Sequence, residues 1–316
     1  ADDSLLNNKN FTKDPDETRQ RFWDKDPMIK REKLFPFIWN TIKDSGRIYG
    51  NRELGNFVNV SNKYWFSYPG YNEIFTGYPD DSVNSNNKTW NINQNVLEFL
   101  NQQTVYRNNI AAFSTWDVFP YILNRQRSGL MINADRDSLP PTNTSFRLLN
   151  DLQKLAPRPI GVRPDVITYL MAREYIRVNQ PKVVYIAFDE TDDLAHGGMY
   201  DQYLKSANAE DAMLADLWSL LNTMEGYRGK TTLLITCDHG RGDVKKEDWR
   251  HHGADIPGAD QIWFAVLGPG ITAEGEVKRP LQLYQKQFAS TFARILGYEF
   301  KANHPVAAPA NDLFKQ

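Results

Sequence analysis

Five residues in three short blocks have the types and spacing to hold metal: Asp192 with His196, Asp238 with His239, and His252 before Gly253. The chain has only five histidines, and four of them fall in these blocks once His251, directly before His252, is counted. Neutral imidazole and carboxylate are the donors that Zn²⁺ or Mn²⁺ takes where thiolate is absent. Asp192 and His196 stand four apart, so one helical turn turns both toward one ion. His252 is placed to complete that set. Asp238 and His239 are adjacent, and both serve a second ion only at an irregular strand end. Two ions about 4 Å apart can clamp the attacking and leaving oxygens of an in-line displacement.

Such a displacement needs a nucleophile. Ser67-Tyr68-Pro69-Gly70 reads as a turn entering a short helix that closes at Thr76-Gly77. A serine at that entry lies beside free backbone N–H groups and the positive helix end, which suits a phosphorylated intermediate. Coordination to a metal would lower its pKa and activate it. Thr76, on the following helix, is the weaker candidate. Asp189, Glu190 and Asp193 read as ordinary loop acids, His251 as a neighbour of a ligand, and His304 as a loop residue without a role.

The elements that must position these groups are legible as apolar runs. Ile110 to Phe113, Val183 to Phe188, Leu233 to Thr236 and Ile262 to Leu267 are continuous rather than alternating, as in strands covered on both faces. Helical spacing lies between them: Ile167, Leu170, Met171, Tyr175 and Val178 after Pro164; Leu214, Leu217, Trp218 and Leu221; Phe288, Phe292, Ile295 and Leu296 before Gly297. The expected fold is α/β, a mostly parallel central sheet with helices on both faces and a small cap region. We expect one domain over 1–316, with the cap roughly 78–161, and a ligand site outside the carboxyl ends of the strands.

Composition narrows the function. The chain is 316 residues long, 41% hydrophobic, with net charge -2 and one cysteine. It can bury one large core, offers no basic field for a nucleic-acid duplex, and allows no intrachain disulfide. No apolar run reaches the length of a membrane span, and Ala1-Asp2-Asp3 does not open a signal peptide. Oligomeric state is not readable.

These blocks together resemble the alkaline phosphatase superfamily, on the branch of nucleotide pyrophosphatase/phosphodiesterases. In that branch a Thr/Ser-aromatic-Pro block is followed ten residues on by Thr-Gly, as Ser67-Tyr68-Pro69 is by Thr76-Gly77 here. Its Asp-x-x-x-His, Asp-His and His-Gly blocks match Asp192 and His196, Asp238 and His239, and His252 and Gly253. The resemblance implies two divalent ions, Zn²⁺ or Mn²⁺, one held by Asp192, His196 and His252 and the other by Asp238, His239 and the Ser67 oxygen. It also implies a phosphoserine on Ser67, a small phosphoric ester as substrate, and a periplasmic or secreted location. Two features depart from the pattern. The family's remaining ligand, an aspartate ending a first strand, has no counterpart, since Asp2 and Asp3 follow no apolar run; the sequence reads as starting just after that strand. The oxyanion asparagine, some twenty residues after the nucleophile, matches Asn86, Asn87 or Asn91 without a choice among them.

The leading expectation is a metal-dependent phosphoric ester hydrolase. No arginine flanks Ser67 while Tyr68 and Tyr71 do, which leans toward diesters; Arg241 could supply charge and keeps monoesters open. The contrasting expectation is an inactive homologue that binds at most one metal. A sulfatase is the weaker enzyme alternative, because the position two after Pro69, where the serine type needs arginine, is Tyr71.

Overall fold

The computed structural model describes residues 1–314. Ten strands form three sheets: β1 (Gly46–Tyr49), β2 (Asn56–Asn59), β3 (Ile110–Ser114), β4 (Met131–Ala134), β5 (Val183–Ala187), β6 (Leu233–Thr236), β7 (Gln261–Ile262), β8 (Phe264–Leu267), β9 (Gly275–Glu276) and β10 (Leu281–Tyr284). Their orders are β4-β3-β5, β6-β8-β1-β9 and β10-β2-β7. The first is all parallel, with Ala112 opposite both Ile132 and Tyr185. The second is mixed: β8 runs antiparallel to β6 and to β1, and β9 runs parallel to β1. The third is mixed as well.

The expectation of a mostly parallel sheet is therefore corrected to mixed sheets. Its basis was apolar continuity, and continuity reports cover on both faces, not direction. β8, buried along its whole length between β6 and β1, reads the same in either direction.

Six helices matter for the site: α1 (Ser67–Thr76), α2 (Thr144–Leu155), α3 (Asp165–Asn179), α4 (Glu190–His196), α5 (Tyr200–Thr223) and α6 (Phe288–Ile295). α5 covers the sheets that contain β5 and β6. Leu217 and Leu221 join a cluster with Val184 and Ile186 of β5, whereas Leu214 and Trp218 pack with Leu233 and Ile235 of β6. On the other face Phe75 of α1 meets Tyr185 with ring centroids 4.6 Å apart. β5 and β6 each have a strand neighbour on one side only among the described residues, and every residue of β6 is part-exposed. The 78–161 stretch contributes β3 and β4 to the core, plus the loop of residues 79–95 and α2. Among the described residues, no helix is long and apolar enough to cross a membrane.

Candidate metal centre and nucleophile

α4 follows β5 directly and brings Asp192 and His196 to one side. The loop after β6 carries Asp238 and His239, and a short helical turn over Lys246–Arg250 delivers His252. Gly253 follows at φ +117, a conformation that side chains avoid, which explains glycine after this histidine. Four of the five blocked residues then meet. His196 Nε2 lies 2.9 Å from His252 Nε2 and 3.2 Å from Asp192 Oδ2. His252 Nε2 is 3.7 Å from Asp192 Oδ1, and His239 Nε2 is 3.8 Å from that same oxygen.

The donor atoms of Asp192, His196 and His252 all lie within 4.8 Å of one another. Ligands at the usual Zn–N or Zn–O distance on a tetrahedron stand about 3.3 Å apart. The observed spacings bracket that edge, so this triad fits a zinc-sized ion. Tautomers agree. His239 Nδ1 lies 2.9 Å from the Gly240 carbonyl and His252 Nδ1 lies 3.3 Å from the Trp65 carbonyl. Each carbonyl takes the Nδ1–H and leaves an Nε2 lone pair aimed inward. Burial lowers the pKa of both rings, which keeps them neutral and able to ligate.

The carboxylates differ. Burial works against ionisation of Asp192, but His196, His252 and Arg241 outweigh it and hold the acid well below the usual range. Arg241 donates from Nη2 to the Asp192 carbonyl at 2.9 Å and also to its carboxylate. Burial, with the Asp192 charge second, pushes Asp238 up to about 7. Asp238 Oδ2 lies 3.6 Å from His239 Nε2. Among the described residues it joins no group of three potential ligands, so this half is less complete.

Ser67 is the first residue of α1 and its Oγ lies 3.4 Å from His239 Nε2, on the Asp238 side of the centre. α1 touches that side closely. A Cβ on Gly70 would stand 2.2 Å from the Asp238 carbonyl oxygen, so only glycine permits this approach. Of the three asparagines, Asn86 accepts the Tyr68 N–H at 2.9 Å and thus sits at the shoulder of Ser67. Asn91 is buried and bonded to Asn72, and Asn87 is exposed.

Other expected residues separate. Tyr68 is buried with its hydroxyl donating to the Thr89 carbonyl; Tyr71 packs on Phe119 and faces Trp116 at 6.5 Å. Thr76 is buried and donates to the Asn72 carbonyl. His251 is exposed, its ring 6.3 Å from that of His196, and His304 stacks on Tyr78. Asp189 is not an ordinary loop acid: burial, then the Asp193 and Asp192 charges, push it up to about 9. Two braces escaped the sequence. Glu73 of α1, fully buried, accepts from the amides of Ser61, Asn62 and Lys286, and Gln285 Nε2 donates to the Cys237 and Asp238 carbonyls. The one signal for Glu73 was an acid inside an otherwise uncharged helix.

A mixed α/β scaffold carries a histidine–carboxylate cluster at its strand ends, with a serine in the first turn of α1 beside it, an arrangement of the alkaline phosphatase type. The type I phosphodiesterase/nucleotide pyrophosphatase family model matches residues 2–286, and the chain belongs to that family. Alkaline phosphatase PafA shares the fold at TM-score 0.65 and 11% identity, over 91% of this chain and 96% of that one. The phosphonate monoester hydrolase of Agrobacterium radiobacter does so at TM-score 0.59 and 13% identity, over 89% and 72%. Sulfatases also share it. Among curated proteins, human GPI ethanolamine phosphate transferase 1 is 27% identical over 123 residues, 38% of this chain but 12% of that protein.

Proposed function

We propose that this chain is a metal-dependent phosphodiesterase that works through a phosphoserine at Ser67. The observation that supports it most is the run of contacts from Ser67 Oγ to His239 and on to the Asp192–His196–His252 triad. Asp192, His196 and His252 would hold one divalent ion, Zn²⁺ or Mn²⁺, and Asp238, His239 and Ser67 the other. Bound there, the ions would supply positive charge that lowers the serine pKa and offsets the developing oxyanions. The protein's own groups do the rest. Ser67 Oγ, in the first turn of α1, would attack phosphorus as the P–O bond to the leaving alcohol breaks, its proton passing to that alcohol through solvent, and the helix N-terminus favours the bound anion. Asn86 spends its carbonyl on Tyr68, which leaves the NH₂ end to donate to a phosphoryl oxygen. Water then releases the phosphoryl group from Ser67.

The preference for diesters rests on charge. Arg241, the candidate that the sequence offered to pair with a dianion, is spent on Asp192. Tyr71, one helical turn after Ser67, faces Trp116 at 6.5 Å, and this pair would give a second ester substituent an apolar surface. A serine-type sulfatase is disfavoured by Tyr71 at the position that needs arginine. β6, which leads into Asp238 and His239, has one open edge among the described residues. By family analogy the protein is exported.

Two second readings have specific support. The sparse Asp238 half favours a chain that binds one ion and does not turn over. The transferase relative favours an alcohol, not water, as the group that resolves the phosphoserine. The test is steady-state hydrolysis of bis(p-nitrophenyl) phosphate and p-nitrophenyl phosphate by the zinc-loaded chain, with added glycerol as acceptor. Faster cleavage of the diester supports the proposal, glycerol phosphate esters support transfer, and no cleavage with one bound zinc supports the inactive reading.

A further inference from the structure

α4 has seven residues, too few to be stable alone in water, and yet it must fix two ligands of one ion. Its preceding residue, Asp189, makes no side-chain cap. The cap comes from another helix. Asp165, at the start of α3, accepts the Asp189 N–H on Oδ1 and the Glu190 N–H on Oδ2, each at 3.0 Å. These are amides that a helix N-terminus leaves without a partner of its own.

Asp165 is itself anchored. The Thr115 hydroxyl bonds its Oδ1 and lies 2.8 Å from the Thr168 hydroxyl, to which Arg163 Nε donates at 2.9 Å. Arg163 also grips the ends of β3 and β4, donating to the Ser114 carbonyl at 2.6 Å and the Asn133 carbonyl at 3.2 Å. The Thr115 amide reaches the Ala187 carbonyl at the end of β5 at 3.0 Å. Arg163, Asp165, Thr115 and Thr168 are all 0% exposed. A guanidinium, two hydroxyls and a carboxylate thus form one buried chain from three strand ends to the first turn of α4.

We infer that Asp165 is a positioning residue for the Asp192–His196–His252 triad, fixing α4 against the strand ends so that both of its ligands keep one geometry. Asp165 is not among the grouped donors Asp192, His196 and His252, and it acts through the backbone that carries Asp192. Metal ligands depend on such outer partners, whose loss typically costs ~10–100-fold in metal affinity. The inference rests on the triad reading above, and its test separates the two.

The experiment compares wild type, Asp165→Asn and Phe146→Leu. Phe146 lies in the core beneath α2 and α3, so its variant lowers stability without touching the cap. Hydrogen exchange at the Asp189 and Glu190 amides is followed without metal, and zinc affinity is measured by competition with a chromophoric chelator. Asn keeps one acceptor oxygen and presents an N–H₂ to the other amide, so one of the two bonds is lost. Expected for D165N are exchange at least 10-fold faster at those amides and zinc binding ~10–100-fold weaker, with neither change in F146L. Unchanged exchange in D165N, or equal loosening in F146L, would overturn the inference. If wild type binds no zinc, the triad reading fails, and the exchange arm still decides the positioning role. Should D165N not fold, Thr115→Val removes one donor to the carboxylate and is expected to move both readouts the same way by a smaller factor. A T115V chain with wild-type exchange and affinity would then overturn it.

Discussion

The two halves of the centre are built differently. Asp192, His196 and His252 converge within 4.8 Å, and their carboxylate is held ionised by neighbouring histidines and Arg241. Asp238 and His239 sit at the end of β6, where one edge is unpaired, and burial holds the Asp238 acid up to about 7. The first half is pre-organised for a cation, since its charge already exists and its imidazole nitrogens already face inward. In the second, burial disfavours the charged form of the carboxyl, and fewer donors are grouped around it. On the proposed reading, the triad side would supply most of the metal-binding energy and the Ser67 side the chemistry, where a looser ion is compatible with a nucleophile that must be gained and lost.

The largest expected effect breaks the chemical half. Ser67→Ala should lower kcat for diester hydrolysis by ~10⁴-fold or more while zinc stays bound at the triad, as for other covalent nucleophiles. Turnover that survives S67A would move the nucleophile elsewhere. Next comes the triad. Asp192→Ala should abolish its tight zinc site, read by competition with a chelator, whereas Asp238→Asn should leave that site and remove the weaker one. Equal losses in both variants would erase the contrast. Asn86→Ala sharpens it on the substrate side: a single lost oxyanion donor costs ~10²–10³ in kcat. Zinc binding should not change, and a drop in zinc affinity instead would give Asn86 a structural role.

The smallest effect concerns pH. Asp189, at about 9 from burial and from the charges of Asp193, Asp192, Asp165 and Asp238, keeps a proton in the fold that the unfolded chain releases near pH 4. Because the folded chain binds more protons in that window, this acid makes stability fall as pH rises toward 9. The depressed His239 and His252 act oppositely, but only up to about pH 7.5, one unit above the ordinary histidine pKa, where the unfolded histidines are nearly all neutral. Metal-free wild type should therefore lose about 1 kcal/mol per pH unit between pH 7.5 and 8.5. Asp189→Asn should lose less, as measured by urea unfolding. Parallel slopes would remove Asp189 as the cause.

The sequence exposed the site better than the sheet around it. The ligand blocks were visible because histidine is rare and each block carries its donors within a few residues. β6 was legible as Leu233–Thr236 since all its side chains are apolar or β-branched. β1 was not, with Arg47 inside a four-residue strand, and the run over Ile262 to Leu267 hid a break at Trp263 between β7 and β8. Strand direction had no local signal at all. Asn86 could not be told from Asn87 or Asn91 because all lie in one polar loop, and only the bond to the Tyr68 amide distinguishes it. Glu73, Gln285 and Asp165 bond backbone groups remote in sequence, which no spacing rule encodes.

A calorimetric zinc titration of the metal-free chain at pH 7.5 tests the central contrast most directly. The account predicts two separable binding steps, a tight one lost in Asp192→Ala and a weaker one lost in Asp238→Asn. A single step that both substitutions abolish, or two steps of equal affinity, would contradict it.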